Sequence, residues 1–382
     1  MSRQASQRFR LLPPPGAPAH SPGILVRGVT TGRGFHLQQS FDQTFGGVVE
    51  FRVRGSDIIV INEIPLEDYL LGVVTSEMSG ECPVEYLKAQ SVVARSWLLA
   101  QSAPAHPGED FSWCSDDHCQ RYQGVTETTA TAESALAKTR GQVLLAPSGE
   151  ICRTFYSKNS GGITEAPEIV WGSSFPGLRA RYDGPQLATE TKFFPVTEVN
   201  VRDYLNGDWL PEARAYASPN MISSGQLRHY LGRVDDGLSH YRWRILTTQD
   251  ELRASIAERG GLRDLDVVMD IVPGQRGASG RLKEAFITYL STSGAEKRTR
   301  IGPELKLRKA LYADSLFSSA FTADLTKDSK GIIQTATFHG AGWGHGVGLC
   351  QIGSLGRALS GQHYEDILSA YFDRVALRQL YA

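Results

Sequence analysis

The sequence predicts an α+β fold, and three observations carry the prediction. Residues 23–62 alternate in the manner of short strands broken by Gly and Asp. Two helices follow, each opened by a proline, Pro65 and Pro83, at the position where a missing N–H costs least. Beyond them strands and helices are mixed, without the strict alternation of a doubly wound sheet.

Taken in order, residues 1–21 are rich in Arg, Ser, Gln and Pro, including Pro13, Pro14 and Pro15, and have no apolar segment. They read as a disordered lead-in, so no export address is visible in the sequence. In 23–62 the apolar positions of the short strands are Ile24, Val26, Val48, Phe51, Val53, Ile58 and Val60. The first helix carries a stripe of Leu66, Tyr69, Leu70, Val73 and Val74, unless Gly72 ends it early. The second runs from Pro83 to about 101 with Val84, Leu87, Ala94 and Leu98 inward, and Glu85 stands three residues before Lys88 as a solvated helix pair. A loop over 102–124 leads to a helix at 130–138 and strands near 143–145 and 151–156. A loop-rich insertion over 173–240 separates this part, 22–172, from a C-terminal part, 241–382. That last part holds a helix at 250–258, strands at 265–272 and 283–290, and a helix over 362–372. No internal repeat or heptad pattern is present.

Composition narrows the function classes. The chain has 382 residues, 41% of them hydrophobic and 21% charged, and a formal net charge of −1. It is long enough for two or three structural units, and no global charge favours nucleic acid or an anionic membrane surface. No apolar run approaches a membrane span. Five cysteines cannot all pair within one chain and are too sparse for a disulfide scaffold.

Four places could carry chemistry. Glu77 falls eleven residues after Leu66, back on the apolar stripe. A carboxyl buried there would resist ionisation and suit a general acid; with an early helix end it would be a surface charge. Residues 155–165 follow a strand and place Ser157, Ser160 and Thr164 around Gly161 and Gly162, a turn suited to close backbone approach and to hydrogen bonding a sugar or amide. Residues 340–353 alternate glycine with other residues around Trp343 and His345, and read as a weakly packed strand. Trp343 would stack on a sugar ring, with His345 and Gln351 hydrogen bonding it. Finally, Cys114, His118 and Cys119 offer three ligands of a zinc site, with a fourth from His106, Cys82 or Cys152. Free thiols and a local disulfide are the competing readings.

Together these segments resemble the SpoIID/LytB family, the stage II sporulation protein D group. The resemblance rests on the runs 62–78 and 83–96, on Cys119-Gln120-Arg121-Tyr122-Gln123-Gly124, on 155–164 with Trp171-Gly172, and on 342–356 with Tyr364, Ile367 and Leu368. It implies a single SpoIID-like unit whose central helical pair carries the catalytic glutamate. It also implies a peptidoglycan lytic transglycosylase, a lyase acting on the bond between N-acetylmuramic acid and N-acetylglucosamine. Glu77 would protonate the glycosidic oxygen and then take the proton of the muramic C6 hydroxyl as that oxygen closes on C1. One carboxylate suffices for this, unlike the pair of an ordinary glycosidase. Gln90, Arg95, Tyr156, Ser157, Ser160, Gly161, Gly162, Thr164, Trp343, His345 and Gln351 inherit places in the substrate groove that the C-terminal part completes.

No cofactor is expected for the chemistry. Zinc in some family members implies a structural zinc at Cys114, His118, Cys119 and His106. The expected partners are peptidoglycan glycan strands and a cell-wall amidase, and the expected location is the cell envelope or periplasm. The alternative role is a non-catalytic enhancer of an N-acetylmuramoyl-L-alanine amidase. A third reading, an inverting hydrolase, would use Asp116 or Asp117 as base.

Overall fold

A computed structural model describes residues 8–13, 15, 23–32, 38–103, 105–185, 192–206, 210–232, 235 and 237–382. The chain forms two compact units: residues 1–143 with 229–236 and 378–382, and residues 144–228 with 237–377. The division falls after residue 143, inside the stretch read from the sequence as one N-terminal part, because the chain leaves the first unit there and returns to it twice.

The first unit begins with β1 (Arg8–Leu11), inside the expected lead-in; residues 1–7, 14 and 16–21 lie outside the described residues. This strand forms because it has a partner. It pairs antiparallel with β4, setting Phe9 opposite Phe51, while Arg8 and Arg10 meet the carboxylate of Glu50 and Arg10 also reaches Glu63 at 2.5 Å. Strands β2 (Ile24–Thr31) and β3 (Gln39–Phe45) pair with each other, and β4 (Val48–Arg54) and β5 (Asp57–Glu63) complete the sheet β1-β4-β5. The proline-opened helices form as the sequence predicts: α1 (Leu66–Glu77) and α2 (Val84–Leu99), followed by α3 (Ala130–Lys138), whose N-cap Thr129 accepts from the Ala132 amide. Glu85 and Lys88 pair at 2.6 Å.

Gly72 does not end α1. A side chain there would collide with the carbonyl of Gly124, 2.4 Å from an added Cβ, and with the Tyr122 ring at 2.5 Å. Glycine at this position lets residues 120–124 lie directly on the helix, and that contact sets up the surroundings of Glu77.

The second unit starts with β6 (Gln142–Leu145), which crosses into it, β7 (Tyr156–Ser157), β8 (Ile163–Thr164), α4 (Pro167–Trp171) and β9 (Arg181–Tyr182). Among the described residues, the stretch read as an insertion holds helices α5 (Val201–Asn206) and α6 (Ser224–Leu231), and residues 229–231 at the end of α6 belong to the first unit. The core of the second unit lies between two antiparallel sheets and two helices. One sheet is ordered β10-β15-β14, from β10 (Trp243–Thr248), β14 (Phe321–Lys327) and β15 (Ile333–Gly340). The other is β11-β12-β13, from β11 (Leu265–Pro273), β12 (Ala285–Ser291) and β13 (Glu296–Ile301). Helices α7 (Gln249–Arg259) and α8 (Glu304–Leu311) bury Leu252, Ile256, Leu307 and Leu311 in one cluster with Val268, Ile287 and Phe338. Thr248 and Glu251 form a capping box at the start of α7, satisfying N-terminal amides reciprocally. The chain then forms β16 (Leu349–Cys350), α9 (Gln351–Leu359) and α10 (Tyr364–Tyr371), the last burying Ile367, Leu368 and Tyr371. Strands and helices mixed without regular alternation make the fold α+β, as the sequence predicts.

Candidate functional site

Glu77 is the last residue of α1 and is 8% exposed, so the apolar stripe does carry it inward. Its Oε1 accepts the backbone N–H of Arg121 at 3.1 Å. One residue earlier Ser76 accepts the N–H of Gln123 at 3.0 Å and donates to the carbonyl of Gly72 at 2.6 Å. Residues 121–123 are thereby strapped along the last turn of the helix, and the carboxyl is held by main chain. The Arg121 guanidinium is paired with Asp117 at 3.3 Å and Asp235 at 3.1 Å. Burial works against its charge, but Asp117, Asp235 and Glu77 together hold it above the ordinary arginine range. Asp117 is thus committed to Arg121, and Asp116 accepts the Gly32 amide at 2.8 Å.

Gln90 and Arg95, expected in a groove from the resemblance, are both completely buried in α2. The Arg95 guanidinium donates to both oxygens of Glu67, at 2.8 and 2.6 Å, and to the carbonyl of Gln142 at 3.2 Å. Its place in the structure is a clamp between α1 and α2.

The cysteine loop of the first unit brings His106, Cys114, His118 and Cys119 together, with one ligand atom from each lying within 4.8 Å of the others. The Cys119 sulfur is 3.4 Å from Nε2 of His106 and 3.5 Å from Nδ1 of His118. The neighbouring Cys119 holds the Cys114 thiol well below its ordinary range, while Cys119 itself is pushed up. Of the three residues open as a fourth ligand, His106 is the one that joins this group. Cys82 instead points its thiol to the carbonyl of Tyr230 at 3.6 Å.

In the second unit the two glycine segments are brought together. Asn159 and Trp343 exchange backbone hydrogen bonds at 3.0 and 2.8 Å, Tyr156 and Ser157 pair in parallel with Leu349 and Cys350, and the Glu165 amide donates to the Gly346 carbonyl at 2.8 Å. Between β15, which ends at Gly340, and β16, which begins at Leu349, the 341–348 stretch is not the strand read from its alternation. Gly342, Gly344, Gly346 and Gly348 all have φ between 75° and 91°, a left-handed conformation that no strand holds. The glycines serve packing as well: a Cβ at Gly161 would press on Ala341 and Gly342 at about 3 Å.

Arg281 fastens the two segments. It is wholly buried and donates to the carbonyls of Ser160 (3.2 Å), Asn159 (3.4 Å) and Gly344 (3.2 Å), and to Ser279 Oγ at 3.0 Å. Ser279 in turn donates its N–H and hydroxyl to Glu165, at 3.1 and 2.7 Å. Replacing Arg281 by Met takes the guanidinium donors from the Ser160 and Gly344 carbonyls and the nearby positive charge from Glu165 in a dry interior, and is expected to cost about 3–5 kcal/mol, read from the denaturant midpoint.

The expected contact residues divide by exposure. Ser157, Ser160, Thr164 and Gln351 are buried; Tyr156 and His345 are half-buried. Trp343 is 8% exposed and packs beside His240 and Phe317, which removes its face from a sugar-stacking role. The exposed indole of this region is Trp171, 41% exposed and stacked on Phe155 at 4.2 Å between ring centres, a residue the sequence reading gave no role. Cys350 caps α9: its sulfur accepts from Gly353 at 3.2 Å and from the Ser160 amide at 3.1 Å, and burial pushes its thiol up to about 11.

His345 accepts the Val347 amide on Nδ1 at 3.0 Å, so its ring is neutral with the proton on Nε2. Burial, with Arg281 and Arg308 nearby, lowers its pKa to about 3. The folded form therefore binds fewer protons than the unfolded chain between about pH 6.5 and 3, and stability falls as pH falls through that window. For a half-buried ring the loss is expected at roughly 1–2 kcal/mol after screening, seen as a shift of the urea midpoint that flattens in His345→Gln.

Beside the end of α1 the first unit holds a cavity of about 340 Å³. Thr75 and Ser79, on either side of Glu77 in sequence, form one wall; Gln123, Glu127, Phe41 and Leu231 form others. These residues come from four separate stretches and share no motif, so spacing could not have found them.

Residues 54–145 match the stage II sporulation protein (SpoIID) family. The chain carries a SpoIID domain. That domain contains α1, α2, Glu77 and the whole cysteine–histidine group, and a second family description, a domain of unknown function, matches residues 200–348. Among curated relatives, the amidase enhancer of Bacillus subtilis is 28% identical over 81% of this chain and 40% of its own length. Stage II sporulation protein D of Bacillus subtilis is 23% identical over 82% of this chain and 74% of its own. An uncharacterised protein of Brachyspira hyodysenteriae is 25% identical over 94% and 79%. The chain thus spans two fifths of the length of the amidase enhancer, 40%. Among the described residues no helix is long and apolar enough to cross a membrane.

Proposed function

We propose that this SpoIID chain is a peptidoglycan lytic transglycosylase of the cell envelope, with Glu77 as its acid and base. The observation that carries the reading is Glu77 itself: a carboxyl on the inward stripe of a helix within the SpoIID-like stretch, held by the Arg121 amide. A wall-binding module has no use for such a group. In its acid form Glu77 gives a proton to the glycosidic oxygen as the bond from that oxygen to C1 breaks, and the leaving sugar departs with it. The resulting carboxylate takes the proton of the C6 hydroxyl while that oxygen bonds to C1, so no water is consumed and a 1,6-anhydro end forms. Glycan strands with and without stem peptides, digested and analysed by mass spectrometry, test this. Anhydro-muramic ends are expected; reducing ends would replace the reading with hydrolysis.

The name of the Bacillus subtilis relative favours a second reading, enhancement of a cell-wall amidase. It predicts faster release of stem peptides by an added amidase, undiminished in Glu77→Gln.

His106, Cys114, His118 and Cys119 fit a zinc ion by donor type and by the spacing of their ligand atoms. All four tetrahedral positions would be filled by protein, which makes the role structural: pinning the loop that leads into residues 120–124.

A further inference from the structure

We propose that Cys114 and Cys119 are a redox site: a peroxide joins their sulfurs in a reversible disulfide, which takes the place of zinc in the loop and releases His106, a proposal that builds on the zinc reading of this group. The two sulfurs lie within 4.8 Å of each other. The backbone keeps them on one tight turn, in which the Cys119 amide donates to the Asp116 carbonyl at 2.9 Å and the Tyr122 amide to the Ser115 carbonyl at 3.1 Å. A disulfide needs a separation of about 2 Å, and side-chain rotation supplies most of the approach.

Access sets the order of events. Cys82, Cys119, Cys152 and Cys350 are buried and Cys114 is half-buried, so a small oxidant in solution meets the Cys114 sulfur first. That sulfur attacks the peroxide: an S–O bond forms, the O–O bond breaks, and the departing oxygen leaves as water with the thiol proton. The Cys119 sulfur then attacks the sulfenic acid, so that an S–S bond forms, the S–O bond breaks, and the hydroxyl leaves as water with the second thiol proton. Two electrons pass from the sulfurs to the peroxide oxygens. In a zinc-loaded loop the sulfurs are thiolates from the outset, the two protons come from solvent, and the ion is shed because zinc binds thiolate sulfur. A thiol reductant reverses the change by exchange and ends as its own disulfide.

The two states hold different parts of the loop. The Cys119 sulfur stands 3.4 Å from Nε2 of His106, so four-ligand binding ties the arm over residues 105–113 to the turn. A disulfide keeps the turn closed, with the Tyr122 amide still on the Ser115 carbonyl, and the strap on Glu77 stays in place. His106 loses its tie. The arm is then left to largely exposed ion pairs such as Arg52–Asp110 at 2.6 Å and Arg54–Glu109 at 2.5 Å, which contribute little.

The test uses the full chain purified without chelator and treated with increasing hydrogen peroxide, with released zinc read by a chromogenic chelator and cross-links mapped by peptide mass spectrometry. One Cys114–Cys119 disulfide is expected for each zinc released, with the denatured chain lighter by two hydrogens and the thiols restored by dithiothreitol. The oxidised protein is expected to melt between the zinc-loaded form and reduced, metal-stripped protein, because a disulfide across so short a loop constrains less than four ligands do. Oxygen added at Cys114 without a cross-link, oxidation of Cys82, Cys152 or Cys350 ahead of the pair, or zinc retained beside the disulfide overturns the proposal. So does an oxidised form that melts no higher than the stripped, reduced protein. A Cys114–Cys119 disulfide formed in protein that carries no zinc as purified would leave the redox pair and remove the zinc reading. One zinc per chain that stays in place through peroxide, with both thiols reduced, would do the reverse.

Discussion

Glu77→Gln is expected to lower the release of anhydro-muramic ends by about 10²–10⁴-fold, the contribution of a positioned proton donor and acceptor, with little change in melting temperature. The two halves of that expectation have separate causes. Glutamine is isosteric and its carbonyl oxygen can still accept the Arg121 amide that Oε1 accepts now, so residues 121–123 stay strapped to α1. It cannot protonate a leaving oxygen or recover a proton from a hydroxyl. Product quantification by mass spectrometry beside a thermal melt reads both. Retained cleavage in a folded variant would sink the assignment: among the described carboxylates near Arg121, Asp117 and Asp235 are paired with that arginine and Asp116 holds the Gly32 amide.

The second large effect is expected from the cysteine–histidine group. Protein purified without chelator should carry about one zinc per chain, and stripping it, or replacing Cys119 by Ser, should cost at least ~3 kcal/mol, or roughly 6–12 °C of melting temperature for a unit of this size. The reason lies in what the loop holds. Residues 106–119 run directly into the 120–124 segment, and the Tyr122 amide bonds the Ser115 carbonyl at 3.1 Å inside that loop. Loosening the ligands therefore loosens the strap on Glu77 as well as the loop itself. Metal-free protein that melts together with a Cys119→Ser variant at the parent's temperature would refute the site.

Much of this was legible in the sequence, and the reasons differ by residue. The inward position of Glu77 was legible because an eleven-residue step on an amphipathic helix is a local signal, and α1 keeps that step despite Gly72. His106 joined Cys114, His118 and Cys119 as expected, since short loops leave few alternatives. Trp343 misled because alternation with glycine imitates a strand; positive φ at every second residue turns it inward instead. Helix α9 went unread because Gly353 and Gly356 weaken its helical signal, yet Gly356 is needed where the Tyr216 carbonyl comes within 2.2 Å of an added Cβ. The cavity at Gln123 was beyond reach, being assembled from distant stretches. Arg281 too looked unremarkable in sequence, because its importance lies in three carbonyls supplied from elsewhere in the chain.

The first unit is stitched from three separate lengths of chain, and this sets an order of manufacture. Asp235, which holds the Arg121 guanidinium, and Tyr381, whose hydroxyl reaches Glu67 at 2.5 Å, are made long after residue 143 has left the ribosome. The helix bearing Glu77 thus waits until residue 381 has been made before its setting is complete, and a nascent or prematurely terminated product has the carboxyl without its full surroundings. For anyone trimming the protein to a minimal piece, the boundary drawn by sequence similarity at residue 145 would cut those stitches.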